Sequence, residues 1–195
     1  MKSVKEIAQA TAWNQWIGPE DLKISAIVSD SRKAQKGTLF VAVKGTRVDA
    51  HDYVPQVVAA GCDAVVVDRV MDLPEHVLQL VVSSTALALG ELAHAFYDFP
   101  SHDITLVGVT GTNGKTTTTT LLHRLFSDLG YKAGLISTVV NLIGEEAIPS
   151  THTTPDPIAL NALLKDMVDQ GCSHCFMEVS SHAVDQHRIA GLKFK

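Results

Sequence analysis

The chain is poor in cysteine, in aromatic residues and in positive charge, and each scarcity argues against a class of protein. Three cysteines in 195 residues are too few and too odd in number for a disulfide scaffold, and they fit a reducing compartment. Lysine and arginine total 16 against 21 aspartates and glutamates, which argues against a strongly basic nucleic-acid binder. No run approaches the roughly 18 apolar residues that a membrane-spanning helix needs. Glu6 stands where a signal peptide would open its apolar stretch. The expectation is a soluble, cytoplasmic protein with no nucleic-acid partner and no membrane insertion. The only two tryptophans, Trp13 and Trp16, lie near the start. What remains is ordinary globular material, 46% hydrophobic and 19% charged, which excludes wholesale disorder. The length suits one compact domain, or two of about 100 residues each.

The patterning favours two. Val4, Ile7 and Ala8 open a short helix, and Ile24 to Val28 and Thr38 to Val43 read as strands. Asp52 to Ala60 reads as a helix stopped by Gly61. Ala64–Val67 and Leu80–Val82 are continuously apolar, as in strands covered on both faces. Ser84 then caps a helix running to Phe96, and Phe99-Pro100-Ser101-His102 breaks the pattern. The break sets a division into 1–100 and 101–195. The second half restarts with the buried strand Ile104–Val109, a loop, and a helix from about Lys115 to Leu129. Ala133 to Thr138 is another strand, Asp156-Pro157 opens a further helix, and Cys175–Val179 is a strand again. Strands alternating with helices predict α/β units on a mainly parallel sheet.

The strongest chemical signal is Gly111-Thr112-Asn113-Gly114-Lys115-Thr116-Thr117, set between a strand and a helix. Glycines let successive N–H groups point at one anion, the helix start adds partial positive charge, and Lys115 can reach terminal phosphates. The Thr116 hydroxyl is placed to ligate a magnesium ion bridging those phosphates. A strict Walker loop would have glycine where Val109 stands; the Gly-Lys-Thr half is intact. Cys172 and Cys175 form a single Cys-x-x-Cys without a second ligand pair, so neither a zinc nor a redox role is expected of them, and Cys175 reads as a buried small hydrophobe.

Thr110–Thr117 resembles the nucleotide loop of the Mur ligases, ATP-dependent amide-forming enzymes of peptidoglycan synthesis. Glu178-Val179-Ser180-Ser181-His182, then Gln186-His187-Arg188, and Thr153-Thr154-Pro155 upstream resemble the tripeptide-synthetase branch of that family. So do Asp30-Ser31-Arg32, Gly37, Phe40-Val41-Ala42 and Gly45 in the first half; Asp49-Ala50-His51 departs from the branch's usual Asp-Gly-His.

The resemblance implies a small N-terminal α/β domain that binds UDP-MurNAc, followed by the first part of a P-loop central domain that binds ATP. The implied reaction adds a diamino acid, meso-diaminopimelate or L-lysine, to UDP-MurNAc-L-Ala-D-Glu through an acyl phosphate. Lys115 and Glu178 would be catalytic, residues Gly111 to Thr117 would hold ATP, and Thr116 and Glu178 would hold Mg2+. Ser29, Ser31, Thr46, Arg47 and Val48 would meet the uridine diphosphate side of the substrate. Thr153, Thr154, Ser180, Gln186 and Arg188 would meet its remainder. The resemblance also implies an N-terminal fragment of a protein that is monomeric at full length. Such a fragment would be inactive alone and would leave an exposed sheet edge. Two other readings stay open at this point: a non-catalytic P-loop module, and another ligase of the Mur or folylpolyglutamate type.

Overall fold

The computed structural model of the chain describes residues 1–45, 48–150 and 152–195. Two units result, Met1–Phe96 and Tyr97–Lys195. In the first, β1 (Lys2–Ser3) and α1 (Val4–Ile7) lead to β2 (Trp13–Ile17), β3 (Lys23–Ile24) and β4 (Ala26–Val28). There follow β5 (Thr38–Val41), α2 (Val54–Ala59), β6 (Ala64–Val67), β7 (Leu78–Val82) and α3 (Thr85–Phe96). Strands β4, β5, β6 and β7 lie parallel in that order, and β2 closes the far edge antiparallel to β7. The three strands β5, β6 and β7 are buried along their whole length, which is why they read as apolar runs rather than alternating ones. Gln79 is the polar exception. Its amide accepts from the Met71 N–H at 3.0 Å and donates to the Met71 carbonyl at 3.1 Å, so its polar atoms are satisfied. The expected cap of α3 is present: Ser84 Oγ accepts from the Leu87 N–H at 3.3 Å.

The second unit begins past α3. The Phe99–His102 segment, where the sequence pattern breaks, carries a short 3-10 turn, Pro100–His102, within it. The unit then runs β8 (Thr105–Val109), α4 (Lys115–Asp128), β9 (Ala133–Ile136), β10 (Val140–Ile143) and β11 (Glu146–Pro149). It continues with α5 (Pro157–Asp169), β12 (His174–Glu178) and α6 (Ser181–Asp185). The strand order is β11-β10-β9-β12-β8; β9, β12 and β8 are parallel, and β10 and β11 add an antiparallel hairpin. Across the outer edge of β8 the Lys195 N–H donates to the Leu106 carbonyl at 3.0 Å.

Alternation along the strands assigns the two sheet faces. Leu106, Ile136, Cys175 and Met177 share one core with Leu160, Leu164 and Met167 of α5. Phe176 points the other way, its ring centroid 5.0 Å from that of Phe126 on α4. Glu178 lies two residues further along β12, and therefore on the α4 face.

Candidate functional site

The glycine loop leaves the carboxyl end of β8 and enters α4. Gly114 takes φ +81° immediately before the helix, a left-handed conformation that side chains resist. The first helical bond is Thr118 N–H to the Gly114 carbonyl, 2.9 Å, so the N–H groups of Lys115, Thr116 and Thr117 have no partner within the helix. Lys115 folds back over the loop and donates to the Gly111 carbonyl at 2.7 Å. Unpartnered N–H groups at a helix start, with an ammonium held over the loop, make a ready anion cradle. Gly108 is no part of this loop. It sits within β8, where an added Cβ would come 2.8 Å from the Phe194 ring.

Glu178 ends β12, paired in register with Val109, the last residue before the loop. Its side chain is 1% exposed. The Thr138 N–H donates to Oε1 at 2.8 Å and the Thr138 hydroxyl reaches Oε2 at 3.2 Å. Among the described residues no basic side chain forms an ion pair with it. A carboxylate withdrawn from water and met only by neutral donors leaves its charge uncompensated, which suits a nearby cation. With Thr116 in the first turn of α4, on the same face of the sheet, the donors offered are a carboxylate and a hydroxyl. Hard oxygens are what Mg2+ prefers, so the residues present fit that ion.

The substrate candidates of the second half gather around this carboxylate. Thr154 is buried; its hydroxyl donates to the Glu178 carbonyl at 2.9 Å and accepts from the Ser180 N–H at 3.1 Å. Thr153 Oγ1 lies 3.1 Å from Thr138 Oγ1. Ser180 caps α6, accepting from the Ala183 N–H at 3.2 Å. His187 takes φ +54° after α6, and that reversal turns Arg188 back toward the sheet. The guanidinium donates to the Thr154 carbonyl at 2.9 Å and, through Nε and Nη2, to Gln186 Oε1 at 3.0 and 2.7 Å. Thr153, Thr154, Glu178, Ser180, Gln186 and Arg188 thus form one hydrogen-bonded group. Thr138, which the sequence reading missed, is its junction. The available signal was its place at the carboxyl end of a parallel strand, where open sheets put ligands.

In the first unit Ser29 follows the carboxyl end of β4, and Ser31 opens a 3-10 turn, Ser31–Lys33. Asp30 caps that turn and grips Arg32, with Nε to Oδ1 at 2.9 Å and Nη2 to Oδ2 at 2.7 Å. Hydrogen bonds from the Arg32 side chain and backbone hold the Asp30 carboxyl down at about 2. Val48 is exposed beside the Lys44–Asp49 bridge, while Thr46 and Arg47 fall outside the described residues. Ala50 keeps a negative φ, so its turn does not require the glycine usual there. His51 is buried, with Nδ1 2.6 Å from Asp49 Oδ1 and Nε2 accepting the Asp68 N–H at 3.0 Å. These bonds tie Asp49 to the end of β6. Cys172 and Cys175 are buried, and burial pushes both thiols up. Among the described residues no helix is long and apolar enough to cross a membrane.

Strand, glycine loop and helix, with a lysine at the first helical position, define a P-loop α/β protein. A profile described as the Mur ligase middle domain matches residues 109–195, and one described as the Mur ligase family catalytic domain matches residues 23–97. The chain belongs to the Mur ligase family. It is 53% identical over 179 residues, 91% of its length, to the UDP-N-acetylmuramoyl-L-alanyl-D-glutamate--2,6-diaminopimelate ligase of Cytophaga hutchinsonii. It is 40% identical over 178 residues, 91% of its length, to the UDP-N-acetylmuramoyl-L-alanyl-D-glutamate--L-lysine ligase of Staphylococcus epidermidis. The chain spans 37% and 36% of those two proteins. A solved structure titled UDP-N-acetylmuramoyl-L-alanyl-D-glutamate--2,6-diaminopimelate ligase shares the fold with TM-score 0.79 at 23% identity, covering all of this chain and 39% of the other.

Proposed function

We propose that the chain supplies the substrate-binding and nucleotide-binding parts of an ATP-dependent ligase acting on UDP-MurNAc-L-Ala-D-Glu. The amine added is a diamino acid, since the two relatives named above differ in that partner alone: 2,6-diaminopimelate in one, L-lysine in the other. On this reading residues 1–100 hold the uridine diphosphate end, with Ser29, Ser31, Thr46, Arg47 and Val48 nearest to it. Residues 101–195 carry the chemistry. The observation that carries the proposal is the buried, uncompensated Glu178 carboxylate on the same sheet face as the helix that the phosphate loop opens.

Amide formation needs the substrate carboxylate activated, here as an acyl phosphate that the incoming amine attacks. ATP supplies the phosphoryl group, and Mg2+ supplies positive charge at its phosphates. The chain's own contribution is positioning and charge. Backbone N–H groups of the loop orient the phosphates, and Lys115 neutralises charge on their outer oxygens. Glu178 and Thr116 hold the ion, and Arg188, fixed on Thr154 and Gln186, faces the peptide carboxylate with a planar fork of donors.

Two measurements test this. Calorimetric titration with ATP and Mg2+ should show binding that Lys115→Ala weakens roughly 10- to 100-fold, the worth of one charged hydrogen bond. Unchanged affinity in that variant would overturn the phosphate loop. For the reaction, the full-length gene product should release phosphate only when UDP-MurNAc-L-Ala-D-Glu is joined by meso-diaminopimelate or L-lysine, and whichever is required names the product.

A further inference from the structure

We infer that Thr138 is a positioning residue that sets the orientation of the Glu178 carboxylate and ties it to Thr153. The inference rests on the nucleotide-binding role proposed above. Thr138 grips both carboxylate oxygens, Oε1 with its N–H and Oε2 with its hydroxyl. Two donors from one residue fix the plane of the carboxylate as well as its position, and each oxygen keeps a lone pair for a cation.

The hydroxyl also fixes a direction. It has one proton, and an ionised carboxylate only accepts, so Thr138 must donate to Glu178. The contact with Thr153 then runs the other way, Thr153 donating to Thr138 over 3.1 Å. The result is a one-way chain from Thr153 through Thr138 to Glu178. Thr154, the next residue, holds the Glu178 carbonyl. The segment carrying two substrate candidates therefore contacts the candidate metal ligand twice, once at its backbone and once through Thr138.

Among the described residues, the turn that carries Thr138 does not depend on that hydroxyl. The turn at Ser137–Val140 is locked without it: Asn141 Oδ1 accepts from the Ser137 N–H at 3.2 Å, and the Ser137 hydroxyl donates to the Val140 carbonyl at 2.7 Å. The Ser150 hydroxyl donates to the Ser137 carbonyl at 2.7 Å. The Thr138 side chain is exposed and has no place in the core. Its backbone is positioned by others, and its side chain is left to serve the carboxylate.

The test compares Mg2+ dependence in wild type, Thr138→Val and Thr138→Ser, using calorimetry with ATP at fixed concentration, and repeats each titration in EDTA. Valine keeps the shape and the N–H but removes both hydroxyl bonds. The Mg2+ concentration for half-saturation should rise about tenfold in Thr138→Val, as when a partner of a metal ligand is lost, with ATP binding in EDTA unchanged. Thr138→Ser should return to within about threefold of wild type, because it restores the hydroxyl. Thr153→Val, which removes only the incoming bond, should raise the half-saturation about twofold. Thermal unfolding of each variant, matching wild type, separates these effects from misfolding. A wild-type Mg2+ response in Thr138→Val, or an equal loss in EDTA, overturns the role of Thr138 and leaves the phosphate loop standing. A wild-type chain that binds no ATP at all overturns both.

Discussion

Glu178 spends stability on a charge that the fold alone does not need. Its carboxylate is buried among hydroxyl and amide donors, with no ion-pair partner among the described residues. Glu178→Gln keeps the shape and removes the charge, so the variant should unfold at the same temperature or higher while Mg2+ ceases to strengthen ATP binding. A clearly lower unfolding midpoint would show that the charge is instead satisfied in the free protein. Asp30 is the opposite case. The Arg32 bonds lower its folded value to about 2 from an ordinary 3.8, so its contribution to stability is complete above about pH 4 and is lost as pH falls toward 2. Unfolding midpoints measured from pH 5 to pH 2 should fall less steeply in Asp30→Asn than in wild type. Glu178 stood out in the sequence chiefly through the Glu-Val-Ser-Ser-His resemblance, with its place at the end of an apolar strand as support. Thr138 offered only its place after a parallel strand, since a threonine there looks the same whether or not its hydroxyl serves a neighbour.

Elements with strong local chemistry were the readable ones. The α5 start is visible as Asp156-Pro157, and in the structure Asp156 Oδ1 accepts from the N–H groups of both Ile158 and Ala159 at 3.0 Å. The β10–β11 hairpin was missed because each strand has only four residues and the turn is marked by one glycine, Gly144 at φ +60°. Strand β2 was missed for a different reason. The register shifts between Trp13 and Gln15, which destroys the alternation that would have announced it. Gly134 shows what a glycine inside a strand can mean. It faces α5, and an added Cβ would run into the Met167 side chain, so Gly134 is what allows that helix to close on β9. Gly134→Ala should cost about 1–3 kcal/mol by overpacking, read from urea unfolding. A neutral result would mean that Met167 has room to turn aside.

At the scale of the whole molecule, the α/β plan was legible from the alternation of apolar runs and helical stretches alone. Each unit has its own core, one around Phe40, Val65 and Val67, the other around Leu106, Leu164 and Met177. Both place candidate residues beyond the carboxyl ends of parallel strands, while Thr153 and Thr154 follow the antiparallel β11. Ser29 follows β4, and Lys115, Thr138 and Ser180 follow β8, β9 and β12. What composition could not reveal was which polar residues at those ends bond to one another, because that depends on register between strands far apart in sequence. The two tryptophans noted at the outset both fall on β2, so the chain's indole emission comes from one unit only. Excited at 295 nm, a wavelength chosen to spare tyrosine, the protein reports optically on residues 1–96, and the phosphate loop, which has no indole in its own unit, calls for a labelled nucleotide or a calorimeter.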